Sequence, residues 1–587
     1  MPNVTIRKVK SMILLWLLVS AASAHPAVAA PMRPTHAEKA IVVSVHEQAS
    51  KAGIEVLRGG GNAVDAAVAT GFALAVVHPQ AGNIGGGGFM LVRFADGKTH
   101  FLDFREKAPA AAAKDMYLDS KGALIKDAST VGYKAIAVPG SVAGLVYAQK
   151  KWGKLPLARV MQYAIVLAKV GFTLTYEDAT DLKDAHLAQF PASRHIFQRD
   201  GNYYKAAETL RQPELARTLD RISLDPESFY KGALAKELVE AVRKGGGLIT
   251  EQDLASYEVK EREPVRGNYR GYEIISAPPP SSGGIALIEA LNILENYPLG
   301  KLGNRSAEAI HVTAEAFRRA MYDRSDFLAD PDFAKIPVAP LLDKTYATAW
   351  RDTISLTHAS VSKQLQRPAG KFTELDRMAA ALPPLETRQA IRESENTTHY
   401  SVVDEEGTAV SVTTTLNDSF GSRVTAGDLG FLLNDEMDEF TSKTGVPNAY
   451  GLIQGAVNAI EPGKRPLSAM TPTIVLKDDQ LFLVLGSPGG PRIITTVANV
   501  LMGVIDYGLN IQEAVNAPRF HHQWLPDSIH LERVGFSADT YKLLSIKGHK
   551  LDFGGYWSDA ECIAIDLKTG ARLGASDARN NGKAVGY

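Results

Sequence analysis

The sequence predicts an α+β fold in which helices and antiparallel strands form separate layers. Segments with the apolar period of an amphipathic helix, about 3.6 residues, are mixed with short runs of β-branched residues. Several of these runs follow one another through tight turns, as in β-hairpins, which argues against a parallel doubly wound sheet. The 587 residues contain no Pro/Ser-rich linker and no internal repeat, although a chain of this length usually forms several domains.

The first thirty residues have the layout of a secretory signal peptide. Three basic residues between positions 7 and 10 precede the short apolar core Met12–Val19. Small residues at Ala22–Ala24 or Ala27–Ala29 predict cleavage after residue 24, with residue 29 as the alternative. A membrane anchor is the other interpretation, but the apolar run is shorter than the ~20 residues of a spanning helix. We therefore expect a periplasmic or secreted protein.

The first half of the mature chain is expected to be mainly helical. Helices at Ala49–Arg58 and Asn62–Val77 are separated by three glycines, and Asp96-Gly97 joins strands at Phe89–Phe94 and Lys98–Phe104. Apolar periodicity predicts further helices at Ser141–Lys151, Leu157–Val170, Lys236–Lys244, Ala286–Asn296 and Ala307–Tyr322. The glycine run at 85–88 lacks a phosphate-loop pattern, so we interpret it as a loop whose backbone passes close to another segment.

The last third is rich in strands. Thr397 follows Asn396 and leads into a β-hairpin, with apolar or β-branched strands at Tyr400–Val403 and Ala409–Leu416 and a turn that ends at Gly407. Further strands are predicted within 473–485, at Cys562–Asp566 and at Leu573–Ser576, and helices near 493–507 and 511–516.

Composition and cysteine count exclude several classes of function. The 64 basic and 65 acidic residues are nearly balanced, so neither a nucleic-acid surface nor a polybasic membrane surface is expected. Cys562 is the only cysteine, which rules out an intrachain disulfide, and its apolar surroundings favour a buried strand residue over a nucleophile. His521 and His522 are adjacent and would point to opposite faces of a strand. We expect no metal, no cofactor, no nucleic-acid partner and no membrane contact after signal removal.

Four motifs are similar to those of a known family. They are TTHYSVVD at 397–404, GSPGG at 486–490, RPLSAMTPT at 465–473 and LDFREKAP at 102–109. Together they resemble the γ-glutamyltransferases, which are N-terminal-nucleophile hydrolases. The resemblance extends over nearly the whole mature chain. It implies a four-layer αββα sandwich and a precursor that cleaves itself between Asn396 and Thr397.

Cleavage would give a large subunit, residues 25–396, and a small subunit, residues 397–587. The polar stretch from Asp343 to Glu395 would then end the large subunit, or would otherwise be a pair of surface helices. Cleavage would also free the α-amine of Thr397, whose ordinary pKa of about 7.7–8.0 suits a base near pH 7. That base would activate the threonine hydroxyl, which is a weak nucleophile without one. In the precursor, the same hydroxyl would attack the Asn396 carbonyl.

The resemblance implies roles for further residues. Gly489 and Gly490 would form an oxyanion hole from converging backbone amides, although a plain glycine turn is the alternative. Thr415 would orient the nucleophile. Arg105 and Ser468 would bind the α-carboxylate of the substrate. Its α-amine would be bound by Asn417, Glu436 and Glu439. Tyr450 would be the aromatic gate of a lid loop at 441–451.

Two positions depart from the family's usual pattern. Ala469 follows Ser468 where a second serine is usual, which removes a donor to a charged group, worth about 1.5–3 kcal/mol. Glu439 stands where an aspartate is usual, which keeps the charge but lengthens the side chain by one methylene. Recognition of the two α-substituents is therefore where this chain is expected to differ from its relatives.

The expected reaction is attack of Thr397 on a γ-glutamyl amide such as glutathione. The resulting γ-glutamyl ester would pass to water or to the amine of an amino acid or peptide. One alternative is a glutaryl- or cephalosporin-type acylase on the same scaffold, supported by Ala469 and Glu439. The other is a secreted, non-catalytic binding protein, which would not be cleaved before Thr397.

Overall fold

The computed structural model describes residues 32–368, 370, 372–380, 396–443 and 455–587. The predicted signal peptide, the end of the polar stretch before Thr397, and Tyr450 lie outside the described residues. Strands before Thr397 are β1 Thr35–Ala37, β2 Ile41–Ser44, β3 Gly87–Arg93, β4 Thr99–Asp103, β5 Phe172–Thr173, β6 Gln198–Arg199, β7 Asn202–Tyr203, β8 Thr209–Leu210, β9 Lys260–Arg262, β10 Val265–Tyr269 and β11 Tyr272–Ser276. Strands from Thr397 onward are β12 Thr397–Val403, β13 Ala409–Thr415, β14 Thr473–Lys477, β15 Gln480–Leu485, β16 Phe520–His521, β17 Ile529–Glu532, β18 Leu551–Gly554, β19 Cys562–Ile565, β20 Arg572–Ala575 and β21 Lys583–Gly586.

The helices account for most of the remaining regular structure. Those before the polar stretch are α1 Glu47–Arg58, α2 Ala63–Val77, α3 Ser141–Trp152, α4 Leu157–Val170, α5 Tyr176–Asp181, α6 Pro191–Phe197, α7 Pro213–Leu224, α8 Ser228–Lys231, α9 Ala233–Lys244, α10 Glu251–Ala255, α11 Gly283–Leu294, α12 Leu299–Leu302 and α13 Ala307–Phe327. The others are α14 Val338–Leu342, α15 Lys344–Asp352, α16 Thr373–Ala379, α17 Arg492–Ile505, α18 Ile511–Asn516 and α19 Ala538–Ile546. Within the described residues, no helix is both long and apolar enough to cross a membrane.

Two seven-stranded sheets form the centre of the fold. The first has the strand order β1-β20-β19-β15-β14-β11-β10 and the second β21-β2-β12-β13-β3-β4-β9. Every neighbouring pair in both sheets is antiparallel. The hairpin β12–β13 lies in the middle of the second sheet, and it contacts β15 and β19 of the first.

Helices cover the outer face of each sheet. Helices α1, α2 and α3 contact the second sheet, and α11 and α18 contact the first. Along β2, Val42 belongs to the apolar cluster around α1 and α2, whereas Ile41 and Val43 belong to the cluster that includes the first sheet. This alternation is the period-two pattern of a strand buried on both faces. The layer order is helix, sheet, sheet, helix, which confirms the predicted αββα sandwich.

Local chemistry explains why the predicted helix pair and hairpin form where they do. The Asn62 side chain caps α2 by accepting hydrogen bonds from the amides of Val64 and Asp65, and the Asp65 carboxylate accepts one from the Asn62 amide. In the hairpin turn, the Asp404 carboxylate accepts from the Thr408 amide at 2.8 Å. Its other oxygen accepts from the Ala63 amide at 2.9 Å, so the turn is tied to the beginning of α2.

The predicted boundaries differ from the observed ones in one functionally relevant way. Strand β12 begins at Thr397, not at Tyr400, because Thr397 pairs with Thr415 at the open end of the hairpin. The edge strand β21 and its neighbour β2 were not predicted. They are short, and they become strands through pairing with β12 and with each other.

Candidate active site

The hydroxyl of Thr415 connects the predicted nucleophile to the bond that it would attack. It donates to the Asn396 carbonyl at 3.2 Å and accepts from the Asn417 amide at 2.9 Å. Its oxygen lies 3.2 Å from Thr397 Oγ. A hydroxyl has one proton to donate and two lone pairs to accept with. Since Thr415 donates its only hydroxyl proton to the Asn396 carbonyl, the Thr397 hydroxyl must be the donor in the hydrogen bond between the two threonines.

The glycine run 85–88 places the neighbouring backbone directly against this pair. A Cβ on Gly86 would lie 2.0 Å from the Thr415 carbonyl oxygen, and one on Gly88 would lie 2.3 Å from that of Thr413. The Asn83 side chain also donates to the Thr415 carbonyl at 2.9 Å. The close approach predicted for this loop is therefore confirmed, and its partner is the strand that carries Thr415.

A small pocket opens at Thr397 and gathers most of the predicted site residues. Thr397 is 8% exposed, so its hydroxyl is sheltered but next to the pocket. The lining residues are Arg105, Thr397, Thr415, Asn417, Glu436, Glu439, Ser468, Ala469, Met470, Gly490, Pro491 and Ile493. They come from segments far apart in the chain, so the structure assembles them at one place.

Three carboxylates surround the Arg105 guanidinium. Its Nη1 lies 2.5 Å from Glu436 and 3.5 Å from Glu106, and its Nη2 lies 4.0 Å from Glu439. Burial raises the pKa of Glu436, against the opposing effect of Arg105. Burial also raises the pKa of Glu439 to about 8, again opposed by Arg105. Since the acids outnumber this cation, the pocket is suited to receive a positively charged group.

Glu106 is a site residue that the sequence reasoning missed. It is fully buried, and burial followed by the charge of Glu436 raises its pKa well above the usual range. It therefore holds a proton beside Glu436, which favours the charged form of Glu436. Its position next to Arg105 in LDFREKAP was the available signal, but a glutamate in a strand-to-loop segment is usually a surface residue.

Asn417 and Ser468 are fixed by the backbone around them. The Asn417 side-chain amide donates to the Asp435 backbone carbonyl and carboxylate, both at 3.2 Å. The Ser468 hydroxyl accepts from the Met470 amide at 3.1 Å, which leaves its proton available on the pocket side. Ala469 is buried at 6% exposure and presents only a methyl group to the pocket.

The GSPGG loop has the backbone geometry of an amide nest. Gly489 and Gly490 both have positive φ, at 122° and 53°. Their carbonyls accept from the amides of Arg492 and Ile493 at the beginning of α17. Within the described part of the chain, no acceptor is found for the amides of Gly489 and Gly490 themselves. Gly490 lines the pocket, so its amide is available to a reacting group there.

Comparison with known proteins agrees with this geometry. The pattern of the γ-glutamyltranspeptidase family matches residues 49–587. The chain belongs to this family. It is 49% identical over 576 residues to the glutathione hydrolase proenzyme of Pseudomonas sp. (strain A14), covering 95% of this chain and 96% of that protein.

The solved structures that are similar to the chain include an acylase and a transpeptidase. Cephalosporin acylase from Bacillus halodurans superimposes with a TM-score of 0.81 at 27% identity, covering 96% of this chain and 98% of that one. Helicobacter pylori γ-glutamyltranspeptidase superimposes with a TM-score of 0.56 at 45% identity, covering 58% of this chain and 98% of that chain. The predicted family is therefore confirmed.

One cluster in this γ-glutamyltranspeptidase family member has the side chains of a metal site. His311, Glu315 and His549 bring three ligand atoms within 4.8 Å of one another, the one such group found in the described residues. The Glu315 carboxylate, however, pairs with Arg318 at 3.2 Å and Arg319 at 2.7 Å. Two guanidinium groups on the only acidic ligand oppose a bound cation. None of the three ligand residues lines the pocket.

Proposed function

We propose that the protein is an exported γ-glutamyltransferase and glutathione hydrolase that matures by cleaving itself between Asn396 and Thr397. The observation that carries this proposal is the pocket in which Thr397 lies with one guanidinium, that of Arg105, and two acids, Glu436 and Glu439. A γ-glutamyl group carries an α-carboxylate and an α-ammonium, and this pocket offers a partner for each. The glutathione hydrolase proenzyme at 49% identity supports the same activity.

Maturation would begin with attack of Thr397 Oγ on the Asn396 carbonyl carbon. The peptide C–N bond between Asn396 and Thr397 breaks, the acyl group moves to Thr397 Oγ, and the nitrogen takes the proton that the hydroxyl loses and becomes the α-amine. Water then hydrolyses the ester, which releases the Asn396 carboxylate and the hydroxyl. The Thr415 hydroxyl donates to the attacked carbonyl, so it would stabilise the negative charge that develops there.

Turnover would use the new α-amine as the base. It takes the proton of the Thr397 hydroxyl while the oxygen attacks the γ-glutamyl carbonyl. The amides of Gly489 and Gly490 would donate to the oxyanion, and the departing amine would take the proton from the α-ammonium. Water or an acceptor amine then repeats the attack on the glutamyl ester, giving hydrolysis or transfer.

Substrate recognition would use the crowded environment of Arg105. Its guanidinium, with the Ser468 hydroxyl, would bind the α-carboxylate. The α-ammonium would lie between Glu436 and Glu439, where it balances the charge of both acids. Arg105 already contacts Glu436 at 2.5 Å, so the substrate carboxylate would share this guanidinium.

The test compares initial rates on γ-glutamyl and glutaryl anilides with purified mature protein, using Thr397→Ala as the blank. The two substrates differ only in the α-amine. A preference for the γ-glutamyl anilide of about tenfold or more, as one charged hydrogen bond would give, supports the proposal. Equal rates would contradict it.

A second candidate function is an acylase that accepts acyl groups without the α-amine. Ala469 and Glu439 favour it, since both change the groups that face the α-substituents, and the cephalosporin acylase structure supports the scaffold. A glutaryl preference in the same assay would establish it. A denaturing gel that shows one uncut chain would instead indicate a protein that does not mature.

A further inference from the structure

The buried side chain of Asn83 uses its whole hydrogen-bonding capacity at a place where three segments meet. Its nitrogen donates to the carbonyls of Ala81 and Thr415, both at 2.9 Å. Its oxygen accepts from the Gly86 amide at 2.9 Å and from the Ser141 hydroxyl at 2.6 Å. Two of the partners can only accept and one can only donate, so they fix the orientation of the side-chain amide. Asn83 therefore ties the end of β13 to its own loop and to the first residue of α3.

The carbonyl that Asn83 holds lies where the strand stops. Strand β13 ends at Thr415, and the chain turns directly afterwards, with a φ of +80° at Asn417. The orientation of the Thr415 peptide group therefore depends on contacts such as that with Asn83, because no further strand residue follows to hold it. Two heavy atoms branch at the Cβ of threonine and restrict its χ1 angle, so the direction of the hydroxyl follows the backbone. A fixed Thr415 carbonyl consequently means a fixed Thr415 hydroxyl.

That hydroxyl is the group that reaches the bond before Thr397. It donates to the Asn396 carbonyl at 3.2 Å, and its oxygen lies 3.2 Å from Thr397 Oγ. Both distances are at the long end of the usual range, and a hydrogen bond weakens steeply when its donor turns away from the acceptor. A small rotation of the Thr415 peptide group would therefore loosen the donor on the carbonyl that is attacked.

We propose that Asn83 is a positioning residue for self-cleavage, which holds the Thr415 hydroxyl on the Asn396 carbonyl through the backbone of Thr415. This inference rests on the proposed function. The four side-chain hydrogen bonds of Asn83 go to other groups than the reacting ones, so Asn83 acts through Thr415. Its effect on turnover should be smaller, because the Asn396 carbonyl would then have left the site.

A double-mutant cycle tests whether Asn83 acts through the Thr415 hydroxyl. Cleavage of the full-length precursor into two chains is followed over time on denaturing gels for the wild type, Asn83→Ala, Thr415→Val and the double variant. We expect Asn83→Ala alone to lower the cleavage rate about tenfold, as loss of one hydrogen bond would. In the Thr415→Val chain, the same change should lower the rate by no more than about twofold, because the hydroxyl that Asn83 positions is absent. The kcat of matured Asn83→Ala on γ-glutamyl anilide should fall by no more than about threefold.

Asn434 offers a matched control for a general structural defect. It is fully buried, and its side chain also makes four hydrogen bonds. Its nitrogen donates to the carbonyls of Gly85 and Ala137, and its oxygen accepts from the amides of Ala137 and Glu436. None of these partners belongs to β13. Asn434→Ala therefore removes as many hydrogen bonds as Asn83→Ala, but it should slow cleavage by no more than about threefold.

A second variant keeps the test decisive if Asn83→Ala does not fold. Asn83→Asp has the shape of asparagine and keeps the oxygen that accepts from Gly86 and Ser141, but the ionised side chain cannot donate to Thr415. It should slow cleavage at least as much as Asn83→Ala. The thermal unfolding midpoint of every variant is measured, so that cleavage rates are compared only between folded proteins.

Three outcomes would overturn the inference. If Asn83→Ala slowed the wild type and Thr415→Val by the same factor, Asn83 would have a structural role that is independent of the hydroxyl. Equal slowing by Asn434→Ala would mean a general loosening of the fold. Cleavage of folded Asn83→Ala or Asn83→Asp at the wild-type rate would mean that Asn83 has no role in maturation. A wild-type chain that stays uncut would instead refute the proposed function, so the two failures are distinguishable.

Discussion

Replacement of Thr415 by valine should slow self-cleavage far more than it slows turnover. Valine has nearly the shape of threonine but lacks the hydroxyl that contacts Asn396, Thr397 and Asn417. In the precursor, the lost donor is the one on the attacked carbonyl. Removal of a donor to a developing oxyanion typically costs about 10²–10³ in rate, and the 3.2 Å length of this bond favours the lower value.

In the proposed mature enzyme, the Asn396 carbonyl would no longer be at this position. There, the substitution removes one neutral hydrogen bond to the nucleophile, about 1 kcal/mol, so kcat should fall only about fivefold. It also leaves the buried Asn417 amide without its acceptor, which should lower stability by about 1–3 kcal/mol.

The assay follows the two product chains on denaturing gels over time, and then measures kcat on the γ-glutamyl anilide with the fraction that has matured. Thr415→Ser is the matched control, because it keeps the hydroxyl and should mature at close to the wild-type rate. If Thr415→Val matured within twofold of wild type while its turnover fell by more than tenfold, the argument from the Asn396 contact would be refuted.

Three further predictions concern the pocket. A Cβ at Gly489 would lie 2.1 Å from Ser558 Oγ, and φ at this residue is +122°. Gly489→Ala should therefore distort the loop and lower kcat about 10²-fold with little change in KM. A kcat within threefold of wild type would mean that the loop does not form the oxyanion hole. Ala469→Ser restores a hydrogen-bond donor beside Ser468 and should lower KM about tenfold for glutaryl and γ-glutamyl anilides. Butyryl anilide lacks the carboxylate that this donor would bind, so it is the control and its KM should not change. Burial raises the pKa of Glu439 to about 8, and only the ionised carboxylate attracts an ammonium. The KM for γ-glutamyl anilide should therefore fall as pH rises from 6 to 8. A KM that does not change with pH over this range would contradict binding of the α-ammonium by Glu439.

The sequence was sufficient to predict the fold class and most of the residues that line the pocket, for two different reasons. Helices such as α2 and α4 have strong local signals, namely a capping box or a clear apolar period, so they form nearly where predicted. The residues of the pocket were predicted through motifs, not through periodicity. Short strands such as β2 and β21 carry weak local signals and were missed, because β2 becomes a strand by pairing with β12, and β21 by pairing with β2.

By itself, the sequence determined that Thr397 leads into a hairpin, that Arg105 and Ser468 match a family pattern, and that Glu439 departs from it. Tertiary structure alone decided how these groups affect one another. Glu106 became relevant only when folding buried it beside Glu436. A charge responds to every neighbour within several ångströms, whatever the separation along the chain, and burial strengthens that response. The order of residues does not contain those distances, so the protonation of this pocket follows from packing.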